Sequence, residues 1–264
     1  MLGSVFAKTL VEQRRALIWW AMGLVAACLL TTAFYPSIHE NAASFERLLD
    51  SLPEGLRRAF GEDFASPAGY LQARLFSIFA PVLFLIFAIG AGARAIAGEE
   101  EHKTLDLLLS TPVPRRRVLL DKAFAMLAAT VGLGVVLALA IAVSGPPFEI
   151  AVSTANIAAA VGDCVLLSIA FGSIALAVGA GTGRRSVAIG LTAGIAAGSY
   201  LIDVLALSVD GLGWLQRFSP FFFYRESDPI AHGLDPWDAV VLAAIAIVST
   251  GIAVAAFDRR DLAA

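Results

Sequence analysis

Charge is scarce in this chain. Only 16% of its 264 residues are Asp, Glu, Lys or Arg, while 58% are hydrophobic. A soluble domain carries about 25% charged and about 45–50% apolar residues, so an ordinary water-soluble fold is excluded. Cysteine is scarcer still. Cys28 and Cys164 both fall inside apolar runs, which argues for small buried hydrophobes and against a disulfide framework. The three histidines, His39, His102 and His232, lie far apart and do not form a zinc set. No Gly-Lys-Ser or Gly-Lys-Thr occurs, so there is no Walker-type phosphate loop. These absences leave no catalytic residues and no metal site to assign. No nucleic-acid partner is expected.

What is present is apolar length. A helix needs about 20 apolar residues to cross a bilayer, and six runs meet or approach that: 16–35, 75–97, 118–143, 151–180, 186–209 and 238–257. They are continuous and rich in Ala, Leu, Ile and Gly, not alternating as barrel strands would be. The expectation is an all-α polytopic membrane protein with six transmembrane helices, forming one domain over residues 1–264. Basic residues set its orientation. With both termini cytoplasmic, the inner segments hold thirteen of the nineteen Lys and Arg residues, among them Arg115, Arg116, Arg117, Arg184 and Arg185. The longer outer loops hold six, in line with the positive-inside rule.

Residues 1–15 place Leu2, Val5, Phe6, Thr9 and Leu10 on one helical face. That spacing predicts an amphipathic interfacial helix ahead of the first span, with Trp19 and Trp20 near the interface. In the outer loop, Phe45, Leu48, Leu49, Leu52, Leu56 and Phe60 recur at helical steps, predicting one or two short amphipathic helices. Before the last span, Trp214 to Tyr224 is aromatic, too short to cross and too apolar to float. It predicts a re-entrant or interfacial outer element.

The densest information lies in a charged island over residues 98–117. Glu99, Glu100 and Glu101 would open a helix, favourably placed at its positive dipole end. Leu105, Leu108 and Leu109 follow at helical spacing, Pro112 and Pro114 stop the helix, and three arginines restart the chain. A second tight turn contains Gly181, Thr182, Gly183, Arg184 and Arg185. Gly190, Gly194 and Gly198 repeat every four residues, a spacing that lets another helix approach closely, either within the bundle or across a subunit contact. Asp163 and Asp203 lie inside spans. An aspartate at a helix centre costs about 2.5–3.5 kcal/mol on insertion scales, so both are candidates for a substrate pathway, with a hydrogen bond to a neighbouring helix as the plainer alternative.

The run Gly98-Glu99-Glu100-Glu101-His102-Lys103-Thr104-Leu105-Asp106-Leu107-Leu108-Leu109-Ser110-Thr111-Pro112-Val113-Pro114-Arg115 resembles the type-2 ABC transporter permeases, the membrane halves of ATP-driven exporters. It is similar to that family's acidic run, Leu-Leu core and Thr-Pro-Val tail, with Lys103 where glycine is usual. Supporting likeness comes from Leu52-Pro53-Glu54-Gly55-Leu56 through Pro67-Ala68-Gly69-Tyr70-Leu71, from Phe218-Ser219-Pro220-Phe221, and from Phe257-Asp258-Arg259-Arg260-Asp261-Leu262. The resemblance implies a permease of the cell membrane paired with a second permease, identical or related, each on a separate ATPase subunit. Glu99, Glu100, Glu101, Thr104, Leu105, Leu108 and Leu109 would form the coupling segment, with Gly183 and Arg184 as a second contact. The Gly190, Gly194 and Gly198 face would serve the subunit interface. ATP and Mg would be bound by the partner ATPase, and no cofactor by this chain. A secondary transporter would call for an inverted repeat, and none is clear. An intramembrane enzyme would call for a convergent catalytic set, which is missing.

Overall fold

The computed structural model describes residues 5–40, 66–101, 114–208, 211, 213–225 and 228–260. Helices dominate the described residues, with no strand among them. Six are long and apolar enough to span a membrane: α1 (Val5–Glu40), α2 (Pro67–Glu101), α3 (Arg115–Ser144), α4 (Thr154–Thr182), α5 (Arg185–Ser208) and, after three short helices, α9 (Pro236–Arg259). The short ones are α6 (Gly213–Gln216), α7 (Pro220–Arg225) and α8 (Pro229–His232).

The first helix departs from expectation. The separate interfacial helix over residues 1–15 does not appear, because α1 runs unbroken from Val5 through Glu40. Lys8 and Glu12 pair across one turn at 3.7 Å, and Thr9 caps back onto the Val5 carbonyl, so the polar residues decorate the helix without ending it. At 1.5 Å per residue α1 is about 54 Å long, well beyond a hydrocarbon core of about 30 Å. The amphipathic helices expected around Phe45 to Phe60 lie outside the described residues.

The second span is also longer than its apolar run. It widens into π-helical turns at Gln72–Phe79 and Arg94–Gly98. The first has a local cause in Pro81, which has no N–H and would crowd the carbonyl four residues back. The wider turn sends the Ala80 N–H to the Leu75 carbonyl, and the Phe76 carbonyl, five residues before Pro81, accepts from the Tyr224 hydroxyl instead.

At the centre stands α4, hydrophobic on every side, as a fully enclosed helix must be. It packs against α2, α3, α5 and α9. Its crossing with α2 requires glycine. A Cβ on Gly92 would collide with the Gly172 carbonyl, and one on Gly172 would lie 3.0 Å from the Ala88 carbonyl oxygen and 2.9 Å from Met126 Sδ. The backbones touch there, a contact that substitutes for the hydrophobic drive that lipid cannot supply. Toward α3, a Cβ on Gly134 would lie 2.6 Å from Val165. By contrast, the outward face of α3, with Phe124, Leu127, Val131, Val135, Leu139 and Val143, is exposed at steps of three and four residues. That stripe faces hydrocarbon. On the far side of the bundle, α1 packs along α3 and joins α2 through the Tyr70 hydroxyl, which donates to the Thr31 carbonyl at 2.8 Å.

The outer element re-enters the bundle. Helix α7 wedges between α4, α5 and α9. Phe221 meets Phe171 and Tyr200 at ring separations of 5.7 and 5.5 Å. Tyr224 donates to the Phe76 carbonyl of α2 at 2.5 Å. Phe171 lies about 25 Å along α4 from its start, so Phe221 reaches past the middle of that helix.

Because the α2–α4 crossing has no room for a side chain, Gly92→Ala is expected to lose about 1–3 kcal/mol or more through overpacking. Gly251→Ala should be neutral or slightly stabilising, since a Cβ there meets nothing within 4 Å. Unfolding temperatures of the detergent-solubilised variants check this, and equal temperatures for the two would contradict the assigned crossing.

Candidate functional site

Five helix ends converge where α2 reaches Glu99–Glu101. The three glutamates continue α2 as its last described turn, so they do not open a new helix as expected, and the N-terminus of their own helix does not compensate their charge. Other helices do. Lys122 of α3 donates to Glu99 at 2.6 Å, and both side chains are largely buried. Arg260, just past α9, pairs with Glu100 and also donates to the Ala180 carbonyl of α4 at 3.3 Å. The backbone N–H of Arg185, at the start of α5, donates to Glu101 at 3.0 Å. Arg115 of α3 donates to the Arg260 carbonyl at 3.2 Å, and Arg116 pairs with Asp258 of α9.

Gly183 completes this clamp. It ends α4 in the left-handed region at φ 67°, its N–H bonded to Gly179, where glycine carries no penalty. It is also covered: a Cβ would run into the Arg260 guanidinium and lie 2.6 Å from a Glu100 carboxylate oxygen. Arg184 beside it is exposed. Thr104, Leu105, Leu108 and Leu109 lie outside the described residues. The clamp therefore encloses the root of the 102–113 segment, which leaves α2 at Glu101 and rejoins the bundle at Pro114.

The two intramembrane aspartates have different surroundings. Asp203 is held by Arg225 of α7 in a two-pronged pair, Nε to Oδ2 and Nη2 to Oδ1 at 3.1 Å each. With Ser219 donating to the Ser199 carbonyl at 2.9 Å, that pair fastens the re-entrant element to α5. Asp163 on α4 is fully buried, and neither carboxylate oxygen has a hydrogen-bond partner among the described residues. Asp238 of α9 is buried as well.

Gly190, Gly194 and Gly198 meet nothing within 4 Å. The inward face of α5 is a different one, formed by Ala188, Thr192, Ala196 and Asp203. The glycine face therefore takes no part in packing among the described residues. Beside it runs a cavity of about 610 Å³ between α2 and α5, closed at one end by Phe221 and bordered by Trp20 of α1. Neither aspartate lines it. Among the described residues no group of His, Cys, Asp and Glu could hold a metal ion.

Removing one partner of a buried ion pair costs about 3–5 kcal/mol, because the other charge is left stranded. Lys122→Met is therefore expected to lower the unfolding temperature sharply, and the added change Glu99→Gln should recover most of the loss. Additive losses in the double variant would contradict the pairing. Asp163→Asn removes a buried carboxyl group that has no hydrogen-bond partner among the described residues, at nearly constant shape, and is expected to raise the unfolding temperature. A fall would show that the carboxylate has a partner it needs.

Comparison with curated proteins finds no match. Comparison with protein families finds one described as ABC-2 family transporter protein, matching residues 4–262. The match spans all six membrane helices and the clamp. With that coverage, the chain belongs to the ABC-2 family of transporter proteins, as a multi-pass membrane permease subunit.

Proposed function

We propose that this chain is the membrane half of an ATP-driven exporter in the cell membrane, with its termini and the Glu99 end of the bundle cytoplasmic. A separate ATPase subunit binds ATP and Mg. The cargo passes through the membrane domain, which supplies the route and the lever. The observation that carries this reading is the clamp. The 102–113 segment hangs from a point where α2, α3, α4, α5 and α9 are tied by ion pairs and hydrogen bonds. A force applied to that segment is shared by five helices at once. A loop that only fixed topology would not call for such cross-bracing.

The segment supplies an apolar stripe, Leu105, Leu108 and Leu109, for a groove on the ATPase, with Thr104 and the acids at its root. Exposed Arg184 adds a second contact on the same face, and Gly183 shapes the turn that presents it. Closure of two ATPase subunits would then shift the balance between inward- and outward-open arrangements of the bundle. The unpacked glycine face of α5 suits a second permease copy or a related partner, since glycine permits close backbone approach. Asp203 positions the re-entrant element in this account, while Asp163 remains a candidate contact of the pathway.

Replacing Leu105 and Leu108 together by Asp is expected to abolish co-purification with the ATPase and ATP-dependent transport, while six-helix folding is kept. Retained complex and transport would overturn the coupling assignment. Gly194→Leu is expected to weaken association of permease subunits without lowering the unfolding temperature of the chain, because none of the described residues packs there. Chemical crosslinking in membranes reads the first effect, and unchanged crosslinking would overturn the interface.

A further inference from the structure

The cavity between α2 and α5 is apolar along most of its length. Its walls include Val82, Leu85, Ile86, Ile189, Ala193 and Ala197. At the Glu99 end it carries Arg94 and Arg185 on facing helices. The charge of Arg185 is felt at Arg94. Neither side chain forms an ion pair or hydrogen bond among the described residues, and Arg185 Nε is buried without an acceptor. The nearby carboxylate of Glu101 is engaged by the Arg185 backbone N–H, not by its side chain.

Two like charges at the edge of a low-dielectric groove are costly unless an anion neutralises them. Guanidinium presents a planar fork that fits phosphate oxygens in pairs. From Arg94 to Ser77 the groove follows α2 for about 25 Å, more than the half-thickness of a bilayer core. A ligand that fits has a phosphate at one end and a long hydrocarbon tail. Basic pockets between membrane helices hold lipid headgroups on the same principle.

We propose that this groove binds an anionic phospholipid, its phosphate seated between Arg94 and Arg185 and an acyl chain laid between α2 and α5 toward Phe221. The inference does not rest on the ATPase reading, and its test needs no ATPase. Gly90 lies on the groove wall, and a Cβ there meets nothing within 4 Å. Gly90→Leu therefore fills the groove while leaving both arginines and the bundle in place.

The full chain, with whatever subunits co-purify, is equilibrated with vesicles of equal phosphatidylglycerol and phosphatidylcholine, and retained lipid is read by native mass spectrometry. The wild-type chain is expected to enrich phosphatidylglycerol by roughly tenfold, as two basic contacts near a lipid surface allow. Arg94→Gln with Arg185→Gln should bring the ratio to about one, and Arg94→Lys with Arg185→Lys should keep part of the preference. Gly90→Leu should lose the retained lipid with both charges intact. Equal retention of the two lipids by the wild-type chain overturns the proposal. So does enrichment that survives Gly90→Leu, which would make the arginines ordinary surface anchors. Efficient crosslinking of a cysteine placed at Ala193 to a second chain, with no lipid retained, assigns the groove to a subunit contact and also overturns it. If the double Gln variant does not fold, the Lys pair and Gly90→Leu still decide.

Discussion

Carboxylates at the edge of a membrane need donors, and here the donors come from other helices. Glu99 takes Lys122, Glu100 takes Arg260, and Glu101 takes the first N–H of α5. Each of these contacts joins α2 to a helix that it would otherwise meet only through apolar packing. Breaking the Lys122–Glu99 pair strands a largely buried charge, at a cost that packing alone does not recover. The acids are therefore both a liability and a cross-brace. They turn the end of a six-helix bundle into one piece, with the 102–113 segment issuing from it.

Rigidity at that end continues inward through the α2–α4 crossing. Gly92 and Gly172 bring two backbones into contact, so a displacement of α2 is felt by α4, the helix that touches most of the others. At the other end, α7 is held by a bidentate Arg225–Asp203 pair and by the Tyr224–Phe76 hydrogen bond. That element links α5 to α2 across the bundle. Between these fastenings lies the α2–α5 groove, an open space of about 610 Å³ that a ligand can enter.

The spans were legible because the signal for them is local. Apolar runs bounded by Pro114, Gly145, Gly183 and Arg185 locate α3, α4 and α5 to within a few residues. Continuity was less legible. The amphipathic face of Val5, Phe6, Thr9 and Leu10 suggests a separate interfacial helix, but the same helical spacing is compatible with one unbroken helix, which is what α1 forms. The close-packing seam was misleading in a different way. Gly190, Gly194 and Gly198 have the repeat that advertises tight packing, yet they meet nothing among the described residues. The crossing that does need glycine uses one from α2 and one from α4, a pairing without a sequence period. The same holds for the ion pairs. Glu100 and Arg260 are 160 residues apart, and Asp203 gives no local sign of Arg225. Long-range partners of this kind are set by the packing of helices and are invisible to spacing rules.

The clamp ties the ends of α2 and α9 into one body. Spin labels at His102 and at exposed Arg259 report on it directly in the assembled transporter, by pulsed-resonance distances with and without a non-hydrolysable nucleotide. One narrow distance that nucleotide leaves unchanged is expected, and a broadened, nucleotide-dependent distance when Glu100 is replaced by Gln. A distance that shifts by several ångströms on nucleotide binding in the otherwise wild-type chain, with transport intact, would contradict it.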